Sequence, residues 1–243
     1  MRKAALRRVA KGANSPLTLV KIDLHDIEFG YRSDAPLFRI PSFSIASGEA
    51  VGVFGPSGAG KTSLLKLLAG ICLPTKGRID IGGTSLNDLS DADRRQFRNE
   101  RVGLVFQDFR LLEYLSVKEN ILLPFRIGAG RSPTAADRAR ADELVNRLEL
   151  RDRVSASPRA LSQGEQQRAA IGRALIASPQ VILADEPTGN LDQRNKGRIR
   201  DLLLEHSRKH KVTLVMVTHD LALLDDFERV LDFSEFETGG KVA

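Results

Sequence analysis

Gly55-Pro56-Ser57-Gly58-Ala59-Gly60-Lys61-Thr62-Ser63 is the stretch on which the fold of this chain turns. It follows an apolar run, Ala50-Val51-Gly52-Val53-Phe54, and opens a leucine-patterned segment with Leu64, Leu65, Leu67, Leu68 and Ile71. The order predicts strand, glycine turn and helix N-terminus, the setting of a phosphate-binding P-loop. Glycines let the backbone curl with its N–H groups pointing inward, and the first helical turn adds unpaired donors and the positive end of its dipole. Such a nest suits polyphosphate. Lys61 can reach β- and γ-phosphates, Thr62 can hold a Mg²⁺ ion, and Ser63 can bond a neighbouring phosphate oxygen. A glycine-rich turn ahead of an ordinary core helix is the plainer alternative, and the placement between strand and helix weighs against it.

Working outward, 243 residues with 42% apolar and 28% charged side chains suffice for one large α/β domain or two small ones, with a sizeable core. The net charge of +6 fits an anionic partner, which nucleotide, lipid head groups and nucleic acid would all satisfy. A single cysteine, Cys72, excludes an internal disulfide and a cysteine-rich zinc site and reads as a buried structural thiol. No apolar run is long enough to cross a bilayer. The basic segment Met1 to Lys11 is followed by no apolar h-region, so it reads as a solvated tail, with weak attraction to anionic lipid as the alternative.

Leu17 to Leu24 and Leu37 to Ile45 read as strands, with Tyr31 in the loop between them. Its flat ring could stack on adenine or be a partly buried surface tyrosine; spacing alone does not separate the two. Arg78 to Ile81 reads as a short strand, Ser90 with Asp93 as a helix cap, and Val102 to Phe106 as a buried strand that presents Gln107 to a ligand. From Phe109 to about Ala160 the pattern turns helical, as a small insert in an α/β core. Ser116 and Glu119 form a capping box there, Pro124 is expected to kink or end that helix early, and a second helix carries Ala139, Leu144, Val145 and Leu148 on one face. Leu161-Ser162-Gln163-Gly164-Glu165 opens a further helix, so Ser162 and Gly164 lie at a second helix start suited to anions. Val181 to Glu186 is an apolar strand that finishes in two adjacent acids, a costly pair in a core and a sensible one at a metal–nucleotide site. Asp185 can join a Mg²⁺ shell and Glu186 can orient or deprotonate water. Asp192 caps the next helix. The strand Thr213 to Val217 leads to Thr218-His219, on the same edge as Asp185 and Gln107, whereas His25, His206 and His210 read as structural.

In order and spacing, over roughly residues 17 to 233, these segments resemble the ATP-binding subunits of ABC transporters. Gly55 to Ser63 is similar to the Walker A loop, Gln107 to the Q-loop, Leu161 to Glu165 to the signature motif, and Val181 to Asp185 to the Walker B strand. Glu186 matches the catalytic carboxylate, Asn190 to Asp192 the D-loop, His219 the switch histidine and Tyr31 the A-loop aromatic. Val105-Phe106-Gln107, Glu119 to Pro124, Gly164 to Arg168 and Ala184 to Asp192 look most like the branch of lipoprotein-releasing, macrolide-export and cell-division ATPases. Two departures stand out. Gln163 replaces the signature's usual third-position glycine, although the positions of the family's phosphate contacts, Ser162 and Gly164, are kept; and the ending from Phe233 to Gly240 follows the family only loosely.

The resemblance implies an α/β P-loop NTPase fold of ABC type: a RecA-like core with an antiparallel β subdomain and an inserted helical subdomain. It divides one domain, 1–243, into an ATP-binding core (17–108 and about 162–235), a helical insert (about 109–161) and a basic tail (1–16). It further implies ATP and Mg²⁺ as cofactors, with Thr62, Gln107 and Asp185 at the metal. Glu186 would be the general base, His219 would position the γ-phosphate, and Gln107 would sense metal and water. Two copies would pair head to tail, each ATP lying between the Walker A loop of one and Ser162 and Gly164 of the other, with Asp192 also an ATP-binding residue. Separate membrane permease subunits would complete a complex for export or extraction of lipoprotein or a hydrophobic compound, peripheral on the cytoplasmic face of the membrane. The alternative is a cell-division-type regulator that drives an extracytoplasmic partner without transport. Phe109-Arg110-Leu111-Leu112-Glu113-Tyr114-Leu115 is the candidate groove for a permease helix, or else simply packs the insert. Nucleic acid is not an expected partner: a chromosome ATPase of this superfamily would carry a long coiled coil between Walker A and signature, and a translation-factor ATPase two tandem copies.

Overall fold

The computed structural model describes residues 20–32, 35–128 and 130–236; the basic tail, the start of the first expected strand and the last seven residues lie outside them. Among the described residues nine strands form two sheets. β1 (Ile22–Phe29), β2 (Phe38–Ile45), β4 (Lys76–Ile81) and β5 (Thr84–Ser85) make an antiparallel sheet in the order β2-β1-β4-β5. β3 (Ala50–Phe54), β6 (Val102–Val105), β7 (Val181–Asp185), β8 (Thr213–Val217) and β9 (Arg229–Asp232) make a parallel sheet in the order β6-β7-β8-β3-β9.

The parallel sheet explains why its strands read as continuous apolar runs: both faces are covered. Val51, Val53, Leu183, Val215 and Val217 point into a core shared with α1 (Lys61–Leu68) and the antiparallel sheet. Their alternates Ala50, Ile182, Ala184, Leu214 and Met216 face a second core built with α3 (Val117–Ile127), α4 (Ala135–Arg147), α5 (Gln163–Leu175) and α6 (Gln193–His210). Period-two alternation in three central strands thus divides the apolar residues between two layers. α2 (Asp91–Arg101) follows Ser90, whose hydroxyl accepts from Asp93 N–H.

Four local expectations are revised. Of the two outcomes expected at Pro124, the early end does not occur: α3 runs through it to Ile127. A proline inside a helix costs about 3 kcal/mol, and the Ser116–Glu119 capping box with burial of Val117, Ile121 and Leu122 offsets it. On α4 the buried alanine is Ala141, and Ala139 faces solvent. α1 ends at Leu68, so Ile71 falls beyond it, 46% exposed. Cys72 is only half-buried against the core.

Candidate functional site

The sheet order brings the functional ends together. β7 lies between β6, which leads to Gln107, and β8, which leads to His219, while β3 beside β8 leads into the glycine loop. Above these ends opens a cleft of 550 Å³ bordered by loop residues Ser57, Gly58, Gly60, Lys61, Thr62 and Ser63, by Gln107, Asp185, Glu186 and His219, and by Tyr31.

The loop curls around the Lys61 ammonium, which donates to the carbonyls of Gly55 and Pro56, both at 2.7 Å. Ala59 is buried beneath it. The helix it opens has Gly60 as N-cap with φ 103° and no side-chain cap, so the first N–H groups of α1 are left to a ligand. Tyr31 is 67% exposed. Its hydroxyl shares a 3.0 Å hydrogen bond with Ser63 Oγ, and its ring stands edge-on to Phe29.

Opposite the loop, Thr62 Oγ1 donates to Asp185 Oδ1 at 3.0 Å. Burial pushes the Asp185 carboxyl above the usual range, and neighbouring Glu186 adds to the rise against the Thr62 hydrogen bond and Lys66 and Lys61. A half-buried carboxylate without a full counter-charge is a place for a cation. Glu186 has a left-handed backbone, φ 45°, that turns the chain sharply off β7. Its Oε2 lies 2.9 Å from His219 Nδ1 and also accepts from the His219 backbone N–H. Gln107 is tied from the far side, where Asn190 Nδ2 donates to its carbonyl at 3.2 Å and Gly189 packs against its amide.

Ser162, Gly164 and Asp192 do not border this cleft. Ser162 caps α5 in a capping box with Glu165. The carboxyl of Glu165 is held below its ordinary range, first by the Ser162 backbone N–H and also by Arg153 and the Ser162 hydroxyl. Asp192 caps α6 through Asn195 N–H, which lowers its own carboxyl, and the Asn195 side chain sits against Gly164. The two caps and Gly164 therefore share one surface, separate from the cleft. In the segment after Gln107, Phe109 and Arg110 are left-handed and their carbonyls accept from the guanidinium of Arg173, while Tyr114 is 81% exposed and Leu111 packs on the core. Sequence reasoning missed Leu37 and Val217 in the cleft wall, and Lys66, whose ammonium lies 5.9 Å from the Tyr31 ring centroid. Ordinary apolar residues and a helix lysine carry no motif, so only the fold could place them.

A glycine loop between a parallel strand and a helix, facing a hydroxyl–carboxylate pair, defines a P-loop NTPase. The description "ABC transporter" is that of the family matched by residues 38–189, and the chain belongs to this family. Among its relatives is the lipoprotein-releasing system ATP-binding protein LolD of Xanthomonas euvesicatoria pv. vesicatoria, 40% identical over 82% of this chain and 81% of that protein. The protein of the same name in Xylella fastidiosa is 42% identical over 77% of this chain and 78% of its own. Of solved structures, the ATP-binding cassette MJ0796, as a dimer bound to ADP and Pi, aligns with a TM-score of 0.77 at 32% identity, covering 87% of this chain and 94% of that one. A second dimeric structure of that cassette gives 0.78 at 33% identity over the same shares. The chain is thus an ATP-binding ATPase subunit of ABC type. No helix among the described residues is long and apolar enough to cross a membrane.

Proposed function

We propose that the chain powers a membrane complex by pairing head to tail with a second copy on ATP and separating after hydrolysis. The observation that carries this reading is the division of the site. The cleft gathers the P-loop, Gln107, Asp185, Glu186 and His219, and leaves Ser162, Gly164 and Asp192 on another surface. A second copy, with its helix start turned to the cleft, would close both. ATP then bridges two subunits, and loss of the γ-phosphate removes what both sides grip.

Within one cleft, Lys61 and the α1 N-terminus bind the phosphates, Tyr31 stacks on the base and Glu186 takes a proton from the attacking water. His219, in contact with Glu186, holds that carboxylate and the γ-phosphate in place. No group of three or more His, Cys, Asp or Glu side chains among the described residues could hold a metal by itself. The oxygen donors of Thr62 and Asp185 with the Gln107 amide instead fit a magnesium ion that draws its remaining ligands from phosphate and water. When bound, Mg²⁺ would neutralise charge developing on the phosphates.

In this reading the working place is the cytoplasmic face of the membrane, with permease subunits and a lipoprotein or other hydrophobic cargo; the relatives' name, lipoprotein-releasing system ATP-binding protein, supports the lipoprotein. Exposed Tyr114 marks the surface for the permease; crosslinking from position 114 is expected to capture a co-expressed permease, and capture only from positions remote from it sinks that assignment. For the catalytic reading the test is Glu186→Gln. Turnover is expected to fall by at least about 10²-fold, the usual contribution of a general base. ATP binding is retained, and an ATP-dependent dimer accumulates in sedimentation. Undiminished ATPase overturns the role of Glu186.

A further inference from the structure

Five aromatic rings run in an unbroken line from the cleft to the end of the described chain. Tyr31 stands edge-on to Phe29 with centroids 5.2 Å apart, and Phe29 lies 5.6 Å from Phe38. Phe38 meets Phe233 edge-on at 5.2 Å, and Phe233 meets Phe236 at 5.7 Å. Phe38 and Phe233 are fully buried. The last two rings belong to a 3₁₀ turn, Phe233–Phe236, that follows β9 directly. β9 pairs with β3 through Phe54 and Asp232, and Asp232 Oδ1 accepts from Ser234 N–H and Oγ at 2.9 and 2.6 Å. The chain's late segment is therefore pinned beside the strand that feeds the P-loop.

Two members of this line lie against the loop, the ring of Phe38 under Gly60 and the Cβ and backbone of Phe233, whose ring packs on Phe38, under Gly55. A methyl group on Gly60 would stand 2.7 Å from Phe38 Cδ1, and one on Gly55 would stand 3.4 Å from Phe233 Cβ. Both glycines have positive φ, 103° and 152°. Gly55 and Gly60 have no side chains with which to pack, so at these two positions contact from below must hold the loop's N–H groups where phosphate needs them.

We propose that Phe38 and Phe233 are positioning residues for the P-loop, which makes the C-terminal aromatic turn a working part of the nucleotide site. This rests on reading the cleft as an ATP site. The loop binds phosphate and Tyr31 binds the base, so the two contributions separate by ligand. Affinities for MgATP and for inorganic tripolyphosphate are to be measured by calorimetry on the full chain. Phe233→Leu and Phe38→Leu are expected to weaken both ligands by the same factor, about tenfold for a displacement of under an ångström. Tyr31→Ala weakens ATP alone. Phe97→Leu, a ring in the same apolar core but on α2, lowers Tm and leaves both affinities unchanged. Should Phe233→Leu fail to fold, Phe236→Ala removes the outermost ring and is expected to weaken both ligands about threefold. Unchanged affinities in the Phe233 and Phe236 variants, or weakening of ATP without tripolyphosphate, overturn the proposal. A wild-type chain that binds neither ligand overturns the nucleotide reading beneath it, and the proposal with it.

Discussion

The two helix starts that the proposed function assigns to ATP are built in opposite ways. α1 begins at Gly60 with no side-chain cap and no acidic residue in its first turn. α5 begins at Ser162, whose hydroxyl accepts from Glu165 N–H while the Glu165 carboxylate accepts from Ser162 N–H at 2.8 Å. The first start leaves its donors open and sets Lys61 among them. The second has spent two donors on itself and carries a carboxylate that Arg153 pairs at 3.0 Å. An open N-terminus with a lysine is a primary binding site; a self-satisfied one is a stable surface that adds contacts once a ligand is already held by something else. On the proposed function, the difference would separate holding a nucleotide from recognising that another subunit holds one.

The comparison is broken most severely by exchanging the effects of two substitutions. Lys61→Ala removes the charged donor from the open start, and ATP affinity of the single chain is expected to fall by about 10²-fold, the scale of charge-assisted hydrogen bonds. Ser162→Ala leaves that affinity intact, costs about 1 kcal/mol of stability through the lost cap, and lowers steady-state ATPase about tenfold by loosening the second contact. Nucleotide titration at low protein concentration, set beside turnover at high concentration, reads the two effects apart. Loss of single-chain ATP affinity in Ser162→Ala would make the two starts equivalent and remove the argument for a shared site.

The two starts also differ in how far the sequence reveals them. The open one is written in its own residues: Gly60, Lys61 and Thr62 dictate a donor-rich turn wherever they follow an apolar strand. The capped one is equally legible as a cap, since Ser162 and Glu165 stand three apart. Which way it faces is not legible, because that depends on how the insert packs. The continuous apolar runs in Val181 to Asp185 and Thr213 to Val217 do announce buried strands, and Glu186 and His219 follow from where those strands stop. The left-handed turn at Glu186, its contact with His219 and the packing of Phe233 and Phe38 under Gly55 and Gly60 do not follow. Those are tertiary contacts between segments as far apart as Phe38 and Phe233, and no local preference encodes them. Pro124 teaches the same point in reverse: a strong local breaker is overruled by burial of Ile121 and Leu122.

The smallest expected effect concerns acid. Glu165 has its carboxyl lowered from an ordinary 4.5 by the Ser162 backbone N–H, with Arg153 and the Ser162 hydroxyl assisting. A carboxyl lowered on folding contributes stability that is complete above its unfolded pKa and is lost as pH falls through its folded value. Acidification below about 4.5 therefore loosens the start of α5, by about 0.5 to 1 kcal/mol for a capping interaction of this exposure. α1 has no carboxylate cap to protonate. In Glu165→Gln the cap loses its titrating group, so its unfolding free energy is expected to fall less steeply than that of the wild type between pH 5 and 3. Denaturant melts at stepped pH measure the two slopes. Equal slopes would mean that the carboxylate contributes nothing to the cap, and that α5 is held at its start by the Ser162 hydroxyl alone, which would bring it closer in design to the open helix it is contrasted with.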